Sequence, residues 1–452
     1  MEEIQKMIEK ARAAQAEYIR RFNQEAADMA VKLTTKAIYD HAEELAKLAV
    51  EETKMGVYEH KVAKNRNKAK GVYYNLKGKK SMGILNIDDR TGLIEIAKPM
   101  GVVVGVTPMT NPIVTPMSKI AFALKTRNAI IISPHPHSKI CSGKAVAYIL
   151  EALKPLGVPE GMVQIVEEPS IEKTQELMRL CDVTVATGGM AMVKSAYSSG
   201  KPSYGVGAGN VQVILDRHIN YDEAAEKVVT GRSFDNGIIC TGEQSFIYPR
   251  ENHDVVMAGF KKAGAYVCNA DEREKIINAI FADGHTARDV VGQSAQFIAK
   301  KAGINIPDNI RVIVVESNGK CGVDDPISKE KMCPVMGAFP YDYFEDAIKI
   351  AQTNLSYEGN GHSVAVHSND QAHIIQVGTE VTVSRIVVNC VSATNAGGSI
   401  QNGLNVTNTL GCGSWGNNSI SENFTFKHLL NISRIAPLMP TIMVPTDEEI
   451  WK

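Results

Sequence analysis

A doubly wound α/β fold is predicted by three features of this 452-residue sequence. From Gly101 onward, short Val- and Ile-rich runs alternate with helical patterns, which implies parallel strands covered on both faces. The same rhythm resumes near Asp222, and no Pro/Gly/Ser-rich linker separates the two halves. Two α/β units should therefore pack directly on each other, with a ligand cleft between them. Length agrees, since domains average ~150 residues.

The elements follow in order. Residues 2 to 55 carry apolar positions at helical spacing and read as two amphipathic helices. Lys61, Lys64 and Lys68 fall at i, i+3 and i+7 on one helical face, either a solvated stripe or a surface for an anion. Gly83 to Ile96 alternates around Asp88-Asp89-Arg90-Thr91-Gly92, the pattern of a hairpin. A two-stranded ribbon is marginal alone and should pack on something else, such as another subunit. Strands are expected at Gly101 to Val106, Ala129 to Ser133, Val163 to Val166 and Val183 to Ala186, with helices at Thr115 to Leu124, through Ile149, and at Ile171 to Leu180. Ligands bind at the carboxyl ends of such strands. The loops there contain Thr107-Pro108 running to Asn111, Ser133-Pro134-His135-Pro136-His137, and Thr187-Gly188-Gly189. Gly205-Val206-Gly207-Ala208-Gly209 is a poor dinucleotide fingerprint, because it precedes a strand (Val211 to Leu215) instead of opening a helix. Its glycines suit close approach of backbone or ligand. Further strands are expected near Ser245 to Tyr248, Arg311 to Val315, Val364 to His367 and Arg385 to Asn389, and the apolar tail Met439 to Pro445 could pair with a sheet edge.

Composition narrows the function. Apolar residues make up 44%, charged residues 22%, and the net charge is −1, so no electrostatic footprint for nucleic acid or an anionic membrane is present. The eight cysteines form no Cys-x-x-Cys pair, which fits free thiols in a reducing compartment. The His135/His137 pair lacks partners for a metal site. No apolar run approaches the ~20 residues that span a bilayer, and no signal h-region stands at the N-terminus, so a cytoplasmic protein is expected.

Ser233 to Ser245 is the stretch around which the chain is organised. Cys240 follows the turn-forming Asp235-Asn236-Gly237 and the apolar Ile238-Ile239 pair. Its sulfur would be held by packing on one side and presented by turning backbone on the other, as a nucleophile requires, although a buried structural cysteine also fits. Cys412, in Thr409 to Gly416, is a second candidate thiol. A cysteine on a nucleotide-type fold suggests covalent catalysis coupled to hydride transfer.

Ser-Phe-Asp-Asn-Gly-Ile-Ile-Cys-Thr-Gly-Glu-Gln-Ser, Thr-Asn-Pro, Ile-Ile-Ile-Ser-Pro-His-Pro, Ala-Thr-Gly-Gly, Glu-Lys-Met-Cys-Pro-Val, Gly-His-Ser and Leu-Gly-Cys-Gly-Ser-Trp-Gly occur in order along nearly the whole chain. Together they resemble the coenzyme A-acylating aldehyde dehydrogenases. The segments Glu51 to Tyr58, Val228 to Arg232, Ser392 to Gly398 and the Glu448-Glu-Ile-Trp ending look most like the CoA-dependent succinate-semialdehyde dehydrogenases. The resemblance implies an aldehyde dehydrogenase-like fold, with a cofactor domain over 1–220 bearing the 83–96 arm, a catalytic domain over 221–419, and a 420–452 arm that joins subunits into a homodimer or dimer of dimers.

It also implies roles. Cys240 matches the nucleophile that forms a thioester, Asn111 the side-chain donor to the oxyanion, and His362 a histidine near the thiol. Thr107, Pro108, Ser133, His135, Pro136, His137, Thr187, Gly188, Gly189, Gly207, Glu330 and Pro334 fall in segments that would hold NADP(H) or NAD(H), Glu330 on the nicotinamide ribose. Hydrolytic relatives carry a glutamate about 34 residues before the nucleophile; here that position is Val206, which cannot act as a base. The thioester should therefore await CoA, with aldehyde and acyl-CoA as the small-molecule partners. No acidic residue in the Ser133 to Pro136 loop opposes a 2′-phosphate, and His135, His137 and Lys139 stand near it, so NADP(H) should be accepted. A semialdehyde carboxylate needs a cation, for which Lys68 is the first candidate and Arg385 the second, with Thr241 beside the nucleophile. Acetaldehyde, propanal or sulfoacetaldehyde are alternative substrates, and a hydrolytic, CoA-independent enzyme is the reading that Val206 opposes.

Overall fold

The computed structural model describes residues 2–440 and 442–452. Two parallel sheets dominate it. In the first, the strand order is Val163–Ile165, Ala129–Pro134, Val102–Thr107, Val183–Thr187, Ser203–Val206, all pairs parallel. The chain begins this sheet in the middle, winds to one edge, then returns to the other. Its switch point lies between Val102–Thr107 and Val183–Thr187, where a crevice opens at the carboxyl ends. The second sheet has seven strands in the order Ala265–Val267, Val312–Glu316, Val335–Tyr341, Glu243–Pro249, Val211–Leu215, Val364–His367, Ile386–Val388, again all parallel. Central strands such as Val102–Thr107 and Glu243–Pro249 are buried throughout, as the unbroken apolar runs anticipate.

The doubly wound α/β architecture agrees with the sequence, and four details differ. Three helices replace the expected two at the N-terminus, Glu2–Arg21, Gln24–Asp40 and Ala42–Thr53; the Asn23 side chain accepts the Ala26 N–H and starts the second, a short-range cap that apolar spacing does not register. The boundary expected at 220 falls between Val206 and Val211, because Val211–Leu215 is a central strand of the second sheet. The 83–96 hairpin finds its partner within the chain: Leu430–Ile435 pairs antiparallel with Leu93–Pro99, giving a three-stranded sheet with Gly83–Asp88 at its edge. The strand in the C-terminal region is thus Leu430–Ile435, not the apolar tail. Of that tail, Leu438, Met443 and Val444 are exposed, and Thr441 lies outside the described residues.

Asn128 joins these parts. Its side chain is fully buried, accepts the N–H groups of Met100 (2.7 Å) and Gly101 (2.8 Å), and donates to Thr126 Oγ1 (2.7 Å) and Leu429 O (2.8 Å). It therefore ties the start of the central strand to the returning C-terminal segment. Asn128→Ala should cost about 2–4 kcal/mol, since it strands buried donors and an acceptor together; urea unfolding would measure it, and a loss below about 0.5 kcal/mol would mean these bonds are replaced by water.

Candidate active site

The carboxyl end of the first sheet faces the amino end of the second, and the cleft between them holds the candidate chemistry. Thr107, Pro108 and Asn111 leave one strand of the first sheet, Ser133 to Pro136 another, and Thr187 to Gly189 a third. From the second sheet, Cys240 stands before Glu243–Pro249, Glu330 before Val335–Tyr341, and His362 before Val364–His367. A cavity of about 410 Å³ is lined by residues of all three first-sheet loops together with Val206, Gly207, Cys240 and Glu330. A second cavity of about 360 Å³ adjoins the other side of the nucleophile loop, with Phe234, Ile239, Lys68 and Asn395 in its wall. Ile238 and Cys240 face the first cavity, and Ile239 faces the second.

The first cavity fits a dinucleotide on its own evidence. It sits at the switch point of a doubly wound sheet. Gly188 and Gly189 are bordered by open space, and Gly189 precedes the helix Met190–Tyr197, whose first N–H groups suit a phosphate. Thr107 Oγ1 is buried in the wall without a hydrogen-bond partner. Glu330 accepts the Gly209 N–H through one oxygen (3.2 Å), and burial, reinforced by Glu358, raises its carboxyl to about 8.

Several expected residues stand outside this cavity. Thr241 is buried, and its hydroxyl donates to Ala393 O (2.9 Å). Pro334 is buried where its chain enters the strand Val335–Tyr341, and His137 is exposed beside the cavity wall. None of the three lines either cavity. Arg385 is 2% exposed, with its guanidinium donating to His362 O, Gly411 O and Asn423 Oδ1; it braces the loops behind the thiol and offers no substrate cation. Lys139 is paired with Glu168 (2.5 Å), an acidic partner from the neighbouring loop that the sequence around His135 does not disclose. Ser133 lines the cavity while its hydroxyl contacts Thr174 Oγ1 (2.8 Å).

The lysine stripe divides. Lys61 and Lys64 lie on the helix Tyr58–Leu76, both buried, and both donate to Asp235 Oδ2 (3.0 and 2.5 Å). Lys68, one turn further, donates to Gly397 O (3.0 Å) and Thr407 O (3.2 Å) and lines the second cavity. Burial draws its ammonium down to about 8, opposed by Cys240 and aided by Lys64. Sequence spacing placed all three on one face but could not show that two are spent on a carboxylate 171 or more residues away.

Around the thiol, the Cys240 N–H and the Asn111 side chain have no hydrogen-bond partner among the described residues, and both residues border the first cavity. They are suited to an oxyanion. A Cβ at Gly209 would overlap the Cys240 carbonyl, so this glycine is required by close packing against the nucleophile. His362 is fully buried, with Nδ1 near Ser363 Oγ (3.0 Å) and Nε2 unpartnered among the described residues. Burial and Arg385 keep its ring neutral, well below the usual histidine range. Cys412 is fully buried, its thiol directed at Leu410 O (3.4 Å). Val206 is 3% exposed in the cavity wall, so no carboxylate occupies the position of a hydrolytic base.

Comparison with known proteins places this cleft: residues 1–302 match the aldehyde dehydrogenase family model. The chain belongs to the aldehyde dehydrogenase family. It is 49% identical over 449 residues to the acetylating succinate-semialdehyde dehydrogenase of Clostridium kluyveri, covering 99% of this chain and 98% of that protein. Among solved structures, an acetylating aldehyde dehydrogenase from Geobacillus thermoglucosidasius superposes with a TM-score of 0.93 at 37% identity, with 98% of each chain covered. A propionaldehyde dehydrogenase from Rhodopseudomonas palustris, solved with bound CoA and an acylated cysteine, does so with a TM-score of 0.85 at 28% identity over 96% of this chain and 97% of that one. This aldehyde dehydrogenase is an oxidoreductase of the acylating kind, and its fold is that of the acylating enzymes. Among the described residues no helix is long and apolar enough to cross a membrane, and no group of three or more metal-ligating side chains occurs.

Burial pushes the Cys240 thiol up to about 12, with Glu330 adding to it and Arg385 opposing. In the enzyme without substrates, thiolate is therefore scarce and grows as pH rises. Alkylation of Cys240 by iodoacetamide should accelerate roughly tenfold per pH unit between about pH 7 and 9, with no plateau. A plateau in that range would mean that the free enzyme already holds a thiolate.

Proposed function

We propose that this enzyme interconverts succinyl-CoA and succinate semialdehyde through a thioester on Cys240, using NADP(H) or NAD(H). The observation that carries this reading is the placement of Lys68. It stands in the second cavity, across the nucleophile loop from the nucleotide crevice, where the distal carboxylate of a four-carbon acyl group would lie. Lys61 and Lys64 are occupied by Asp235, which leaves Lys68 as the stripe's cation for substrate. Likeness to the C. kluyveri enzyme supports the same choice.

In the reductive direction, the Cys240 thiolate attacks the acyl carbonyl. The Cys240 N–H and the Asn111 side chain hold the negative oxygen. Collapse of that adduct breaks the bond to the CoA sulfur, and the acyl group remains on Cys240. NAD(P)H, when bound, would supply hydride to the thioester carbon; the bond to the Cys240 sulfur then breaks, which releases the aldehyde and regenerates the thiolate. His362 is buried and its Nε2 has no hydrogen-bond partner among the described residues; burial and Arg385 oppose its charging, so its part in thiolate formation is that of a neutral hydrogen-bond acceptor. Val206 leaves water without a base, so the thioester persists until CoA or hydride meets it. Thr107, Gly188, Gly189 and Glu330 would hold the dinucleotide. His135, in the wall of the first cavity, is half-buried, and its Nδ1 accepts the His137 N–H; no carboxylate of its own loop would oppose a 2′-phosphate, and Glu168 is paired with Lys139, so either cofactor would be accepted. The two edges of the three-stranded sheet, one exposing Ile84 and Ile87 and the other Ile435, fit joining of subunits into a dimer, and the free thiols fit a cytoplasmic enzyme.

NADPH oxidation with succinyl-CoA, acetyl-CoA and propionyl-CoA, measured side by side against Cys240→Ala, tests the reading. Succinyl-CoA should give the highest kcat/KM, and Cys240→Ala should be inactive. Faster turnover of the short acyl-CoAs would overturn the substrate assignment while leaving the thioester route in place. Lys68→Ala should raise KM for succinyl-CoA by about 10–100-fold, the scale of a lost charge-assisted bond, and leave acetyl-CoA nearly unchanged.

The pH dependence has a defined sign. Lys68 is charged below about 8 and neutral above it. KM for succinyl-CoA should therefore climb as pH rises through that value, with no such climb for acetyl-CoA; parallel profiles would remove Lys68 from the acyl site.

A further inference from the structure

The turn before the nucleophile is left-handed through three residues in succession. Asp235, Asn236 and Gly237 have φ of 52°, 52° and 75°, three consecutive left-handed residues of which only the last is glycine. Aspartate and asparagine enter this region more readily than other non-glycine residues, and surrounding contacts hold the two in succession. The Asp235 carboxylate accepts the Val57 N–H (2.9 Å) on one oxygen and both lysines on the other. Asn236 donates to Gly292 O (2.9 Å). The backbone N–H of Asp235 has a separate partner, His60 Nδ1, at 2.9 Å. The His60 ring also stacks on Phe234, with centroids 5.0 Å apart, and Phe234 lines the acyl cavity.

A backbone N–H can only donate, so His60 Nδ1 must be unprotonated to accept it. We propose that His60 is a positioning residue for the nucleophile: its neutral ring clasps the turn that carries Cys240, and a proton on Nδ1 opens the clasp. Asp235 and Glu59 face the ring as negative groups, and Arg311 and Lys64 as positive ones. Burial outweighs them and holds the ring below its ordinary 6.5. The clasp is therefore closed above that value and lost as pH falls through the lowered one, the order expected when the folded state prefers the neutral base.

His60→Asn and His60→Ala separate the possibilities. Asparagine retains a side-chain acceptor near the Nδ1 position and cannot titrate, whereas alanine removes it. At about pH 7.5, His60→Ala should lower kcat by roughly 10–100-fold with little change in KM for the nucleotide, the scale of a small misplacement of a reacting group; His60→Asn should keep most of the activity. Iodoacetamide alkylation of Cys240 gives a second readout that does not depend on which acyl group is the substrate, so failure of the substrate assignment and failure of the clasp remain distinguishable. As pH falls from about 7.5 to 5.5, the wild-type rate should drop below that of His60→Asn by several-fold, because only the wild-type ring becomes charged. A constant ratio between the two across this range, or wild-type kcat in a folded His60→Ala protein, would overturn the proposal. The ratio decides even if His60→Ala does not fold.

Discussion

The carboxylate of Asp235 is the constraint on which the rest of the site depends. It is fully buried and receives two lysine ammonium groups and one backbone N–H, an arrangement that lowers its carboxyl to about 2 despite the opposing effect of burial. Taking an ion pair out of water is costly, and removing one partner costs about 3–5 kcal/mol because a charge is left unpaired. The cluster therefore works as a fixed joint. It binds the helix Tyr58–Leu76 of the first half to the turn that presents Cys240 in the second. The same helix places Lys68 in the second cavity, so the nucleophile and the proposed carboxylate partner are located by one joint.

The two sheets contribute opposite ends to the cleft. At the carboxyl ends of the first sheet, loops and the helix after Gly189 offer backbone donors to phosphate groups. At the amino ends of the second sheet, the chain enters strands just after Cys240, Glu330 and His362. Short connections hold these groups close to rigid strands, as precise covalent chemistry requires. Gly209 lies against the Cys240 carbonyl and donates to Glu330, so the connection between the sheets is also part of the wall behind the nucleophile. Burial then leaves its mark on charge: the thiol and Glu330 are both driven toward their neutral forms.

Much of this was legible from residues alone. Apolar runs marked the central strands and turn residues marked the loop of Cys240, whereas the reading of Val206 came only with the family resemblance. Other features had no local signal. Ala265–Val267 is only three residues long, and Val335–Tyr341 contains a glycine and Pro340, which weaken a strand reading. Leu430–Ile435 needed its partner Leu93–Pro99, more than 300 positions away in the chain, to be recognised as the third strand of the hairpin sheet. Arg385 had the right charge for a substrate clamp, yet four oxygen acceptors surround it.

What the sequence determined by itself was periodicity and chemistry: parallel strands wrapped by helices, a cysteine in a turn, and glycine-rich loops at the strand ends. These are short-range properties, set by φ/ψ preference, side-chain volume and the presence or absence of a titratable group. Only the tertiary structure decided which cations remain available. Lys61, Lys64, Lys68, Lys139 and Arg385 are equivalent as sequence symbols. Burial makes each of them seek an acceptor, and the location of that acceptor is a property of the folded chain.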